Sequence, residues 1–107
     1  MILIREAALK ENDDWVDSSK QDLVATLNKC GSRKMHLYLV GHDYLIRDAS
    51  LLSKGTSGTV LLSNPEGQIA GFVISSIRSV SKKTKVRFQN IEFSFHVGRK
   101  EYALTIF

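Results

Sequence analysis

The chain has 107 residues, 43% of them hydrophobic and 24% charged, which suits one modest domain around one core and gives no sign of two. The single cysteine, Cys30, excludes an internal disulfide, and no apolar run nears the roughly 20 residues of a membrane-spanning helix. The net charge of +4 divides unevenly: residues 1–31 carry −2 and the remainder +6, so an anionic partner is favoured over a cationic one. The N-terminus has acids where a signal peptide would need a basic flank and a long apolar core, so the expectation is a soluble, cytoplasmic monomer with Cys30 as a buried or helix-end thiol.

The N-terminal segment from Arg5 reads as a short helix or an extended lead-in that breaks at Asn12-Asp13-Asp14, after which Trp15-Val16 is an apolar anchor. Ser18 followed by Gln21 has capping-box spacing, and Leu23, Val24, Leu27 and Cys30 recur at helical intervals up to Gly31. That pattern predicts a helix over about residues 19–29 with its apolar stripe on a sheet. Met35-His36-Leu37-Tyr38-Leu39-Val40 then reads as a strand, and Gly41-His42-Asp43 as a tight turn into a second strand beginning at Tyr44. Alternation places Leu45 and Arg47 on one face of it and Tyr44 and Ile46 on the other.

Residues 50–58 form a long small-residue loop, and Asn64-Pro65-Glu66-Gly67 punctuates a hairpin between strands at 59–63 and 68–74. Val86 and Phe88 lie on the opposite parity from Ile91, Phe93, Phe95 and Val97, so the register breaks near Gln89-Asn90 by a bulge or a turn. After Gly98 the last segment is open between a closing strand, as Tyr102, Leu104 and Ile106 alternate, and a short helix. The fold class expected is α+β: a central antiparallel sheet with a flanking N-terminal helix and room for a second helix near the C-terminus.

Tyr44-Leu45-Ile46-Arg47-Asp48-Ala49-Ser50 resembles the F-L-V-R-E-S strand of Src homology 2 domains, with the strands at 59–63 and 68–74 in the order that family shows. The resemblance covers residues 15–107 as the core of one domain and implies a non-catalytic module that binds tyrosine-phosphorylated proteins or peptides. On that resemblance Arg47 grips the phosphate with its planar fork, and Ser50, Ser53, Lys54 and Thr56 of the following loop wrap it with hydroxyls, charge and backbone amides. Phe72 and Lys20 are the residues it would bring to the peptide. The sequence departs from the pattern at Ala49, where the family has serine, at Gly71, where it has histidine, and in the first helix, where Gln21 or Asp22 replaces an arginine. The short C-terminus implies weak selectivity for flanking residues.

Two other functions fit less of the sequence. Arg78, Lys82, Lys83, Lys85 and Arg87, with Phe88 and Phe93 nearby, have the character of a basic strand with stacking aromatics and make nucleic acid the alternative partner. Gly55-Thr56-Ser57-Gly58 resembles the nucleophile region of chymotrypsin-like proteases, but the chain is too short for two barrels and only His36 and His42 precede Ser57. His36, His42 and His96 lack metal-ligand spacing, so neither a metal nor any other cofactor is expected.

Overall fold

The computed structural model describes residues 15–42, 44–54, 58–85 and 90–107, with the side chains of residues 53, 54 and 85 outside that description. The expected lead-in helix from Arg5 lies outside the described residues. A two-residue strand, β1 (Val16–Asp17), precedes the helix α1 (Lys20–Cys30). Seven strands follow: β2 (Met35–Leu39), β3 (Tyr44–Lys54), β4 (Thr59–Ser63), β5 (Ile69–Val73), β6 (Ile77–Lys85), β7 (Asn90–Val97) and β8 (Lys100–Ile106). Among the described residues the eight strands form one antiparallel sheet in the order β1-β6-β7-β8-β2-β3-β4-β5, and strand content far exceeds helical. The final segment is strand β8 and no second α-helix occurs among the described residues, because Tyr102, Leu104 and Ile106 insert into the core at period two while Val97 and Lys100 close a tight hairpin.

The helix begins one residue later than the Ser18 capping box predicts. Ser19 is the N-cap and its hydroxyl accepts from the Asp22 amide at 3.1 Å, while Ser18 donates to the Asp22 carboxylate at 2.6 Å. Leu23, Leu27 and Cys30 then face the sheet and Gly31 ends the helix, so the predicted stripe holds apart from half-buried Val24. The core is a single cluster: Met35, Leu37, Ile46, Val60, Leu62, Phe93, Phe95, Leu104 and Ile106 supply the inner face of the sheet, and α1 covers it. Burying each of these side chains stabilises the fold by about 1.5–3 kcal/mol.

The strand β3 does not follow simple alternation. From Met35↔Ala49 to Leu37↔Ile46 the β3 side advances one residue more than β2, and from Leu37↔Ile46 to Tyr38↔Tyr44 it does so again. Two bulges therefore sit in this strand, and Asp48 at the first has a φ of 53°, the left-handed region an aspartate tolerates better than most residues. As a result Ile46 and Ala49, three apart, both point inward, while Tyr44, Leu45, Arg47 and Asp48 are all exposed. The expected pairing of Tyr44 with Ile46 on one face is thereby corrected. Past the bulge, β3 leaves β2 and pairs with β4 through Ser50, Leu51, Ser53 and Lys54, so this strand joins the two halves of the sheet.

The hairpin turn at Asn64 is built as its sequence implies. The Gly67 amide donates to the Asn64 carbonyl at 3.0 Å with Pro65 between them, and Gly67 takes a φ of 84° that glycine adopts without strain. Strands β6 and β7 are antiparallel neighbours whose ladder runs to Lys85↔Asn90, and the expected register break, by a bulge or a turn, falls at residues 86–89, outside the described residues.

Candidate functional site

On the outer face of the sheet, opposite α1, side chains from four adjacent strands line a groove of about 430 Å³. Alternation dictates its composition. His36 and Tyr38 project between buried Met35 and Leu37 on β2, Glu92 precedes buried Phe93 on β7, and Thr105 lies between buried Leu104 and Ile106 on β8. Arg47 and Tyr44 from β3, with His42 and Phe107, complete the walls. Glu92 pairs with Thr105, and Thr105 with His36, so the row runs from an acid on β7 to Arg47 on β3 across three strand spacings, about 14 Å.

The Arg47 guanidinium carbon lies 4.1 Å from the Tyr44 ring centroid, a cation–π contact worth about 0.5–1 kcal/mol at an exposed site. Among the described residues Arg47 has no salt-bridge partner, so the local pairing with Asp48 that an ordinary strand arginine would show is not formed. Tyr44 packs edge-on against His36 at 5.2 Å and against Tyr38 at 5.4 Å, and His36 against Phe107 at 4.7 Å. Phe107 is held by its amide, which donates to the Lys34 carbonyl at 2.9 Å, and by the Arg33 side chain, which donates to its carbonyl.

His36 Nδ1 accepts the Asp48 amide at 3.1 Å, which fixes a tautomer with its proton on Nε2 and ties the ring to the bulge beside Arg47. The Arg47 carbonyl accepts from Asn64 Nδ2 at 3.1 Å, so the β4–β5 turn braces the strand that carries the guanidinium. Burial first, and then Glu92, Tyr44 and Glu101, push the Tyr38 phenol above its ordinary 10.0, so at neutral pH Tyr38 is a donor at the middle of the face.

The other residues singled out by the resemblance lie elsewhere. Ser50 borders a separate groove with Asn28, Lys29, Gly31, Leu51 and Leu52, at the C-terminal end of α1 where the helix dipole disfavours an anion. Arg47 and Ser50 are therefore not brought together. Thr56 and the side chains of Ser53 and Lys54 lie outside the described residues, as does Ser57. Phe72 is 4% exposed and stacks at 5.0 Å on Phe95 in the core, so it does not border the Arg47 groove. Lys20 opens α1 on the opposite face of the sheet from Arg47.

The basic stretch on β6 is not one patch. Lys82 forms a salt bridge of 3.3 Å with Asp22 on the helix side, Lys83 lies 5.5 Å from the Trp15 ring on the outer side, and Arg78 donates to the Gly98 carbonyl at 2.6 Å. Arg87, Phe88 and the Lys85 side chain lie outside the described residues. No cluster of three or more histidine, cysteine or acidic residues suited to a metal occurs among the described residues. Sequence reasoning passed over His36, Tyr38, Phe107 and Asn64 as site residues; the signal for the first two was the polar and aromatic parity of β2, which faces away from Met35 and Leu37.

No family model matches the sequence, and neither a curated protein nor a solved structure is detectably similar to it.

Proposed function

We propose that this domain is a non-catalytic binding module for an anionic group carried on an aromatic ring, phosphotyrosine within a peptide, and that the outer groove beside Arg47 receives it. The observation that carries the reading is the Arg47 guanidinium stacked at 4.1 Å on Tyr44 at the rim of an aromatic groove, without a carboxylate among the described residues to neutralise it. Such a guanidinium keeps its edge donors free for a phosphate while its face rests on the ring, and phosphate brings nearly two charges for the fork to bind. The aromatic ring of the ligand has Tyr38, His36 and Phe107 to pack against.

This reading keeps the arginine of the Src homology 2 resemblance and replaces the serine loop by the aromatic face. It carries only weak selectivity for residues flanking the phosphotyrosine. Nucleic acid is the less favoured partner, because the described cations of β6 point to both sides of the sheet and Lys82 is already paired.

Calorimetric titration tests it with four ligands: a phosphotyrosine peptide, its unphosphorylated form, the phosphoserine analogue and a single-stranded oligonucleotide. The phosphotyrosine peptide is expected to bind in the micromolar range, the unphosphorylated form far more weakly, and phosphoserine poorly because its arm does not span ring floor and guanidinium together. Arg47→Ala should abolish binding, and Arg47→Lys should nearly do so, since a lysine lacks the planar fork. Equal affinity for all the peptides sinks the proposal, and tight, salt-dependent binding of the oligonucleotide alone transfers it to the nucleic-acid class.

A further inference from the structure

The sheet has two edges, and they are finished differently. At one, the two-residue β1 covers part of β6 and brings Asp17. At the other, β5 pairs with β4 on one side only among the described residues. The strand itself lacks the features that blunt an edge: it holds no proline and no charge, its register with β4 is unbroken, residues 67–77 contain no ionisable side chain, and no strand among the described residues pairs with its outer side. Ile69 and Val73 are 61% and 45% exposed on its outer face.

We infer that β5 pairs antiparallel with β5 of a second copy of this chain, about a two-fold axis through Gly71, joining the two sheets into one. The backbone polarity fits. The Ile74 amide donates to the Gly58 carbonyl, and the Asn64 amide to the Gln68 carbonyl, so the even-numbered residues of the hairpin exchange bonds with β4. In an antiparallel ladder the groups alternate, which leaves the N–H and C=O of Ile69, Gly71 and Val73 facing the free edge. A two-fold at Gly71 sets Ile69 opposite Val73 of the second copy, Gly71 opposite Gly71, and Val73 opposite Ile69, each as a pair that exchanges two hydrogen bonds.

The side chains fit the same operation. Ile69 and Val73 are equidistant from the axis and cover each other's exposed apolar surface on the outer face. At the axis itself stands a residue with no side chain, and none is tolerated there: a Cβ on Gly71 would lie 2.2 Å from the Val60 carbonyl oxygen. Self-pairing about an axis sets a charge at the centre of a strand against its own copy, which is destabilising, and this strand carries none to oppose. A partner strand bearing charges would gain no counter-charge here, whereas a second copy supplies the matching apolar pair. The monomer expected from the sequence gives way, on this reading, to a dimer.

Sedimentation equilibrium of the full chain over the micromolar to millimolar range tests the proposal. The expected result is a reversible shift from the 12.0 kDa chain to a species of twice that mass. Ile69→Lys and Val73→Glu, both at exposed positions, should each weaken association by an order of magnitude or more while leaving the circular dichroism melt in place. The double variant should regain association, because each introduced lysine then faces the introduced glutamate of the other copy. A single 12.0 kDa species at every concentration overturns the proposal. So does a dimer indifferent to both single substitutions, or a double variant that associates no better than they do.

Discussion

Asn64 joins the β4–β5 turn to the strand that carries Arg47, and its removal separates a fold effect from a site effect. Its Oδ1 accepts the Glu66 amide at 3.1 Å and the Gln68 amide at 3.0 Å, while its Nδ2 donates to the Arg47 carbonyl at 3.1 Å and to Gln68 Oε1 at 2.8 Å. These neutral, solvent-accessible bonds belong at the low end of the usual range, about 0.5 kcal/mol each, so Asn64→Ala should cost about 2 kcal/mol. For a domain of this size that lowers the melting temperature by about 10 °C. Asn64→Asp retains both acceptor bonds and loses both donor bonds, so it should cost about 1 kcal/mol and keep the turn. Urea denaturation of the two variants reads the stabilities, and titration with a phosphotyrosine peptide reads the site, where Asn64→Asp should weaken binding beyond its loss of stability because the Arg47 backbone is no longer held. A loss below about 0.5 kcal/mol for Asn64→Ala, or an Asn64→Asp variant as stable as the unsubstituted chain, would refute the bracing role.

Further outcomes follow from the core and from the two perturbed groups. Phe95→Ala removes a fully buried ring packed on Phe72 and Tyr102, and should cost about 3–5 kcal/mol in chemical denaturation. The Ser18 hydroxyl is the main cause that holds the Asp22 carboxyl below its ordinary 3.8; burial opposes it, and Lys82 adds to it. Because the folded form binds this proton less readily than the unfolded one, the contribution is full above pH 3.8 and is lost as pH falls through the lower folded value; Asp22→Asn should flatten the acid limb of a stability profile. Tyr38 has the opposite sign: its phenol is raised, so its contribution is full below pH 10.0 and declines as pH climbs toward the folded value. Tyrosinate absorbance should show a phenol, lost in Tyr38→Phe, that ionises above the ordinary 10.0, and Glu92→Gln should advance it only in part, since burial is the larger cause.

Local chemistry made some elements readable from sequence. The α1 stripe has the helical period, and Asn64-Pro65-Glu66-Gly67 carries both the proline and the glycine its turn requires, so the β4–β5 hairpin was legible almost to the residue. The face assignments on β3 were not, because a period-two count presumes an unbroken ladder and two inserted residues shift every side chain beyond them. Arg47 was legible as a candidate, but its companions were not: the strands β7 and β8 that bring Asn90, Glu92 and Thr105 to it lie more than forty residues away in the chain, and nothing local announces that they cross beside β2. Phe72 reads equally well as wall or core from its own strand; what decides it is that Phe95 and Tyr102 meet it from the inner face.

The position of β8 between β7 and β2 also sets the order in which this chain assembles. Strands β3, β4 and β5 meet their neighbours through short connections, and so do β6, β7 and β8, so each set closes as a local meander. The two sets are joined where Met35 meets Ile106, roughly seventy residues apart, and closing so long a loop costs about 2 kcal/mol more than closing a hairpin. Loop-closure entropy therefore places that joint after the two meanders in the order of assembly. Substitutions in the β4–β5 hairpin, whose contacts form early and locally, should therefore slow folding, while comparable ones along the β2–β8 ladder should mainly speed unfolding.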